Sequence, residues 1–194
     1  MEKKKPVAGN NSKREPQLSR DSWLRHGLEV LRDEGIQGVR VERLARDLGV
    51  TKGSFYWHFT DRDDLWQNML DYWSRMYTGV IVDNREFRKF DPAQGLLVAM
   101  TKVRAEGLDT YELAMRAWAD HDPKIDAAVR EVYAQRTAFV MGFFTRLGFR
   151  GIDAEVRTRL TLCYMSWELN MYPDESKTKR LKLLEAQHEL LTRK

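Results

Sequence analysis

The chain has one cysteine, Cys163, among its 194 residues. A single thiol excludes an internal disulfide and points to a reducing, cytoplasmic setting. Long apolar runs are missing as well: none approaches the ~20 residues of a membrane-spanning helix. Lys3, Lys4 and Lys5 are followed by no apolar stretch, so the start does not read as a secretory signal. No segment reads convincingly as a strand, and no internal repeat is visible. There is no G-x-S-x-G motif and no Walker loop, and His26, His58, His121 and His188 lack metal-ligand spacing. His121, between Asp120 and Asp122, reads as a helix end with capping residues. These absences argue against an enzyme and leave a binding protein with no catalytic residues, no cofactor and no metal.

Charge and pattern remain. Lys and Arg number 33 against 29 Asp and Glu, a net charge of +4, with a pI of about 9.2 and a mean hydropathy of -0.60. This mild basicity permits nucleic-acid binding without proving it. The length suits one large or two small domains with a real core.

The informative stretch runs from Leu44 to Phe59. Leu44, Ala45 and Leu48 form an apolar stripe at helical spacing. Gly49 suits a left-handed helix end, and Thr51 offers a hydroxyl to cap a second helix. Phe55 and Phe59, four apart, share one face and anchor that helix. Lys52, Gly53, Tyr56 and Trp57 point elsewhere. Packing explains such a face poorly, whereas a DNA major groove admits a helix and rewards donors at its N-terminal end. The string Leu48-Gly-Val-Thr-Lys-Gly-Ser-Phe-Tyr-Trp-His-Phe59 closely resembles the recognition segment of TetR-type transcriptional repressors, and the resemblance covers roughly residues 19 to 70.

The rest of the chain reads as helices, about nine in all. Residues 1–18 form a basic tail with no core-forming side chains, expected to be disordered and able to touch phosphate or the minor groove. Ser19 or Asp21 caps the first helix, whose stripe is Trp23, Leu24, Leu28 and Leu31. Gly27 inside it implies a close helix crossing. Asp61 caps a longer helix running to about residue 80, followed by a polar break over residues 83 to 91. Asp91-Pro92 and Asp122-Pro123 are cap-plus-proline starts. Asp109-Thr-Tyr-Glu112 resembles a capping box. Further helices are expected to about Leu147, from about Asp153 to Met171, and over about 175 to 192. The fold class is all-α. A three-helix helix-turn-helix head spans residues 19–65, and a ligand-binding and dimerisation body spans residues 66–194.

In the head, Lys52 and Ser54 are the candidates for base contacts, and Gly53 allows close backbone approach. Thr51 lies at the helix start, and Trp57 can pack on a sugar or a thymine methyl. The resemblance implies that Tyr56 and His58 bind phosphate and that Arg62 clamps another. The family's usual lysine nearby is replaced here by Thr60 and Asp61. Arg40 and Val41 stand near where the family has a capping threonine; Arg40 can reach phosphate as a cation. The resemblance also implies a homodimer on a double-stranded palindromic operator, with heads about one DNA turn (~34–36 Å) apart, and a small-molecule effector in the body.

Large adaptable side chains mark a possible cavity: Trp73, Tyr77, Met100, Met115 and Trp118, then Phe139, Phe143, Tyr164 and Trp167. Arg104 and Arg116 can meet an anionic ligand group. The last two helices carry apolar positions on more than one face, so Val156, Leu160, Tyr164, Trp167, Leu181, Leu184, His188 and Leu191 form the expected dimer interface. His188 reads as a packed or rim histidine.

Overall fold

Short oxygen-bearing side chains set where the helices begin. Ser19, Asp61, Asp91, Asp122 and Ser176 each accept a backbone N–H in the first turn that follows, which satisfies a donor the helix itself leaves free. A computed structural model of the chain describes residues 18–194. The expected basic tail therefore lies almost wholly outside the described residues.

The head comprises α1 (Arg20–Glu34), α2 (Val41–Asp47) and α3 (Lys52–Phe55). The connecting rod begins as α4 (Arg62–Ser74), passes through a π-helical segment (Arg75–Gly79) and ends in a single turn, α5 (Val80–Val82). The body adds α6 (Pro92–Ala105), α7 (Glu112–Ala119), α8 (Pro123–Arg146), α9 (Gly151–Met171) and α10 (Lys177–Thr192). With α5 taken as the end of α4, the described residues hold the nine helices expected and no strand. None of these helices is long and apolar enough to cross a membrane.

Two apolar clusters hold the fold together. The first unites Trp23, Leu28, Phe55, Leu65, Met69 and Trp73 with Met115 and Trp118 of α7 and Val129 of α8. The second gathers Phe87, Leu96, Met100, Phe144 and Leu184 between α6, α8, α9 and α10. The head's core thus runs past residue 66 into the body. The predicted crossing at Gly27 is real: a Cβ there would lie 2.7 Å from Met69 Sδ, so any larger residue requires the Met69 side chain to shift.

Two local expectations change. The polar break is not a bare loop, because Arg85–Arg88 form a 3-10 turn that buries Phe87. Asp109 and Glu112 are not a capping box either. The helix begins at Glu112 with Tyr111 in the cap position and no side-chain cap bond, and both acids are buried. The tertiary fold turns them inward, toward the second cluster.

Candidate nucleic-acid interface and body cavity

The recognition segment is built from the inside out. Phe55 and Phe59 are buried, with ring centroids 5.2 Å apart, and Trp23 of α1 meets Phe55 edge-on at 5.5 Å. These contacts fix the orientation of α3. Gly49, at φ +69°, makes the turn from α2 that an L side chain resists. With both phenylalanines pinned inward, Tyr56 and Trp57 stand outward, 57% and 81% exposed. The Tyr56 ring meets Phe55 edge-on at 5.2 Å, which leaves its outer part and Trp57 facing water.

The polar candidates occupy the same face with differing freedom. Lys52 Nζ is 2.5 Å from Glu42 Oε1 of α2, and this pairing raises the lysine pKa and lowers that of the glutamate. Arg40 is exposed and donates from Nε to the Gln37 carbonyl at 2.9 Å. The Arg62 guanidinium stacks over Trp66, 4.3 Å from the ring centroid. Ser54 is half-buried. Nothing in the chain itself requires glycine at position 53, since a Cβ there would meet only Thr51 Oγ1, at 3.5 Å. Thr51 occupies the cap position of α3, but its hydroxyl makes no cap bond. As α3 has only 4 residues, its dipole is short, and attraction for phosphate falls to the side chains. His58 is partly turned in: its Nε2 is buried without a partner, which leaves Nδ1 for any phosphate.

The family model for bacterial regulatory proteins, tetR family, matches residues 24–69, the segment that carries this geometry. The head belongs to the TetR family. Over 45 residues, 23% of this chain, the TetR head is 42% identical to the tetracycline repressor protein class C of Escherichia coli. The match spans only 20% of that repressor's length. Solved structures extend the likeness in fold to the body. The transcriptional regulator FadR of Bacillus subtilis, solved with stearoyl-CoA, superposes with a TM-score of 0.69 at 14% identity, covering 90% of this chain and 98% of that one. A transcriptional regulator from Saccharomonospora viridis, solved with choline, gives 0.67 at 15% identity, covering 86% and 93%.

Beyond the TetR head, the body encloses a cavity between the π-helical segment, α5, α6, α7, α8 and α9, lined mainly by apolar side chains such as Ile81, Leu96 and Val140. The space is about 620 Å³, its open mouth included. Of the aromatic and methionine residues expected there, Tyr77, Met100 and Phe139 line it. Trp73, Met115 and Trp118 do not: they are buried in the first cluster, because the head's core reaches up α4 and into α7. Phe143 is buried in the second cluster, off the cavity wall. Tyr164 packs beside that cluster, with its hydroxyl buried and unpartnered. Trp167 lines a separate outer groove with Leu113, Tyr133 and Cys163, the cysteine being exposed.

The polar part of the cavity wall is Thr78, Asp109, Glu112 and Arg136, with the hydroxyls of Thr161 and Ser166, and the sequence reading missed it. Arg136 Nη1 donates to Glu112 Oε1 at 2.6 Å, while its Nε and Nη2 donate to Thr78 Oγ1 at 2.8 and 2.6 Å. Thr78 sits in the π-helical segment of the connecting rod. Arg104 is committed to carboxylates, with Nη1 2.6 Å from Asp109 and 3.3 Å from Glu168. Arg104 Nη2 is buried without a partner, Arg116 is bound to Asp120 and Asp126 at 2.8 and 2.9 Å, and neither expected anion-binding arginine lines the cavity. A usable signal existed at Arg136: it interrupts the helical stripe Val129, Val132, Val140 and Phe143, where a charge must be paired.

The expected interface divides by face. Val156, Leu160, Trp167 and Leu181 point outward. Leu184 and Leu191 are buried in their own chain, and His188 Nε2 contacts the Ala93 carbonyl at 2.8 Å, so these three serve the monomer's core. Ile152, Met171, Leu183 and Leu190, absent from the expected set, are exposed. They extend the outer stripe along α9 and α10.

Proposed function

We propose that this chain is a ligand-responsive transcriptional regulator that binds a palindromic operator as a homodimer and is released from it by a small effector. The observation that carries the reading is the outward face of α3. Tyr56 and Trp57 are exposed there beside Lys52 while Phe55 and Phe59 are anchored. In this role Lys52 and Ser54 read bases, and Arg40, Thr51, Tyr56, His58 and Arg62 position the head on phosphates. Gly53 allows close approach and Trp57 packs on the sugar edge. Lys52 exchanges Glu42 for a base edge or a phosphate on docking.

A single head is too small for selective binding. The apolar stripe of Ile152, Val156, Leu160, Trp167 and Met171, at spacings of four or seven residues along α9, suits a second copy packed helix to helix. The effector enters the body cavity. Thr78 of the connecting rod is held by Arg136 from the cavity wall, so a ligand that moves Arg136 acts on the rod and shifts the population of head spacings. FadR and the Saccharomonospora viridis protein hold chemically unlike ligands on one fold; the ligand of this chain must be read from its own wall.

The test is selection of random DNA duplexes against the purified protein at fixed, near-physiological salt, since phosphate binding depends steeply on salt. A two-fold symmetric motif with half-sites about one turn apart, ~34–36 Å, is expected. Recovery of no motif overturns the reading. With that duplex as probe, Lys52→Ala and Tyr56→Phe are expected to weaken binding while the melting temperature holds. A variant that binds like the parent removes that residue from the interface.

A further inference from the structure

The cavity wall is unbalanced in charge. Asp109 and Glu112 are 5% and 3% exposed, and both line the cavity. Asp109 Oδ1 and Glu112 Oε2 have no hydrogen-bond partner, while Asp109 Oδ2 meets Arg104 Nη1 at 2.6 Å. The one lining cation, Arg136, spends its donors on Glu112 Oε1 and Thr78. Behind the wall, Arg104 is shared between Asp109 and Glu168. Arg180 is bound to Glu168 at 2.7 Å. On the wall itself two carboxylates therefore face one guanidinium, and the oxygens left unpaired cost free energy unless something in the cavity supplies donors.

We propose that the effector is a compact apolar molecule bearing a protonated amine, whose N–H groups are accepted by Asp109 and Glu112. The proposal rests on the reading of this cavity as the effector site. A primary ammonium offers several donors and one positive charge, which is what the wall lacks. A carboxylate ligand would instead add negative charge beside two lining carboxylates, where the lining guanidinium of Arg136 is already bound. The apolar remainder of the ligand meets Ile81, Leu96, Met100, Phe139 and Val140. The narrow room between these side chains favours a compact frame over a long acyl chain.

The titration of Asp109 agrees. Burial pushes its carboxyl up to about 6 even though Arg104 pulls it down. The charged and titratable groups packed around it are Arg104 from α6, Glu112 from α7, Arg136 from α8, Tyr164 and Glu168 from α9 and Arg180 from α10. An ammonium beside Asp109 favours the ionised form, so amine affinity rises as pH rises through about 6 and falls below it.

Nine probes test the proposal: phenethyl, cyclohexylmethyl and n-hexyl frames, each as the primary amine, alcohol and carboxylate. Each is titrated calorimetrically into the full chain at pH 7.5 and pH 5. At least one amine is expected to bind about tenfold tighter than its alcohol and carboxylate, the size of one charge-assisted contact. That preference is expected to shrink at pH 5 and to vanish in the isosteric double variant Asp109→Asn/Glu112→Gln, whose helicity is checked in parallel. If no frame prefers the amine, or if the preference survives in the double variant, the proposal is overturned. A preference for the carboxylate overturns it too. The pH comparison in the parent decides the matter if the double variant does not fold. Operator binding without ligand is measured alongside. Intact operator binding with no amine preference rejects the ligand class alone, whereas amine preference without operator binding rejects the regulatory reading alone.

Discussion

The head and the body use charge in opposite ways. In the head, charged groups sit outside an apolar centre. Arg43 pairs with Glu34 and Asp47, and Lys52 pairs with Glu42, all at the water boundary. In the body, Asp109, Glu112, Glu168 and Arg180 are buried, and Arg104 and Arg136 nearly so. Exposed pairs are weak and exchangeable, which suits a surface that must trade protein partners for phosphate. Buried pairs hold one geometry, and removing a single partner strands the other. The head's charge pairs are therefore open to exchange, and the body's are held in one register.

The strongest way to break this comparison is Arg136→Ala. It leaves Glu112 buried and alone, and chemical denaturation is expected to show a loss of about 3–5 kcal/mol. The matching head variant, Arg43→Ala, is expected to leave the denaturation midpoint unchanged. Equal effects would erase the distinction. Next come the two faces of the C-terminal helices. Leu184→Ala, in the core, should cost about 2–5 kcal/mol. Leu160→Asp, on the outer stripe, should leave the fold intact and give monomers by sedimentation. A dimer that survives Leu160→Asp would move the interface elsewhere.

A smaller effect comes from pH. The folded pKa of Asp109 is raised to about 6, so the folded state holds its proton more tightly than the unfolded chain does. Stability from this group is then present at low pH and is lost as pH climbs toward about 6, a change on the order of a few kcal/mol. Asp109→Asn lacks that slope. Its melting temperature relative to the parent is expected to rise from pH 4 to pH 7; a flat difference would show that Arg104 compensates the charge fully. The smallest effect is Glu42→Gln. It frees Lys52 and removes a negative charge from the DNA-facing surface, so nonspecific duplex affinity should rise several-fold at low salt and converge with the parent at high salt.

Much of this was legible in order along the chain. The caps at Ser19, Asp61, Asp91 and Asp122, the stripe through Trp23 and Leu31, and the inward pair Phe55 and Phe59 are local patterns, and they landed where the spacing put them. The head was legible for the same reason, because its contacts lie close in sequence. The body was less so. Trp73, Met115 and Trp118 have the size of cavity residues but went to the head's core. Leu184 and Leu191 share a helix with outward Leu181 yet turn inward. Asp109 and Glu112 fit a local capping pattern that the tertiary fold overrode.

The sequence alone determined the helices, their order and the outward face of α3, because helix periodicity and capping act within a few residues. Only the tertiary structure decided which apolar faces meet their own chain and which carboxylates are enclosed with Arg136. Burial and pairing there join residues such as Thr78 and Arg136, 58 positions apart, and no local rule reaches that far.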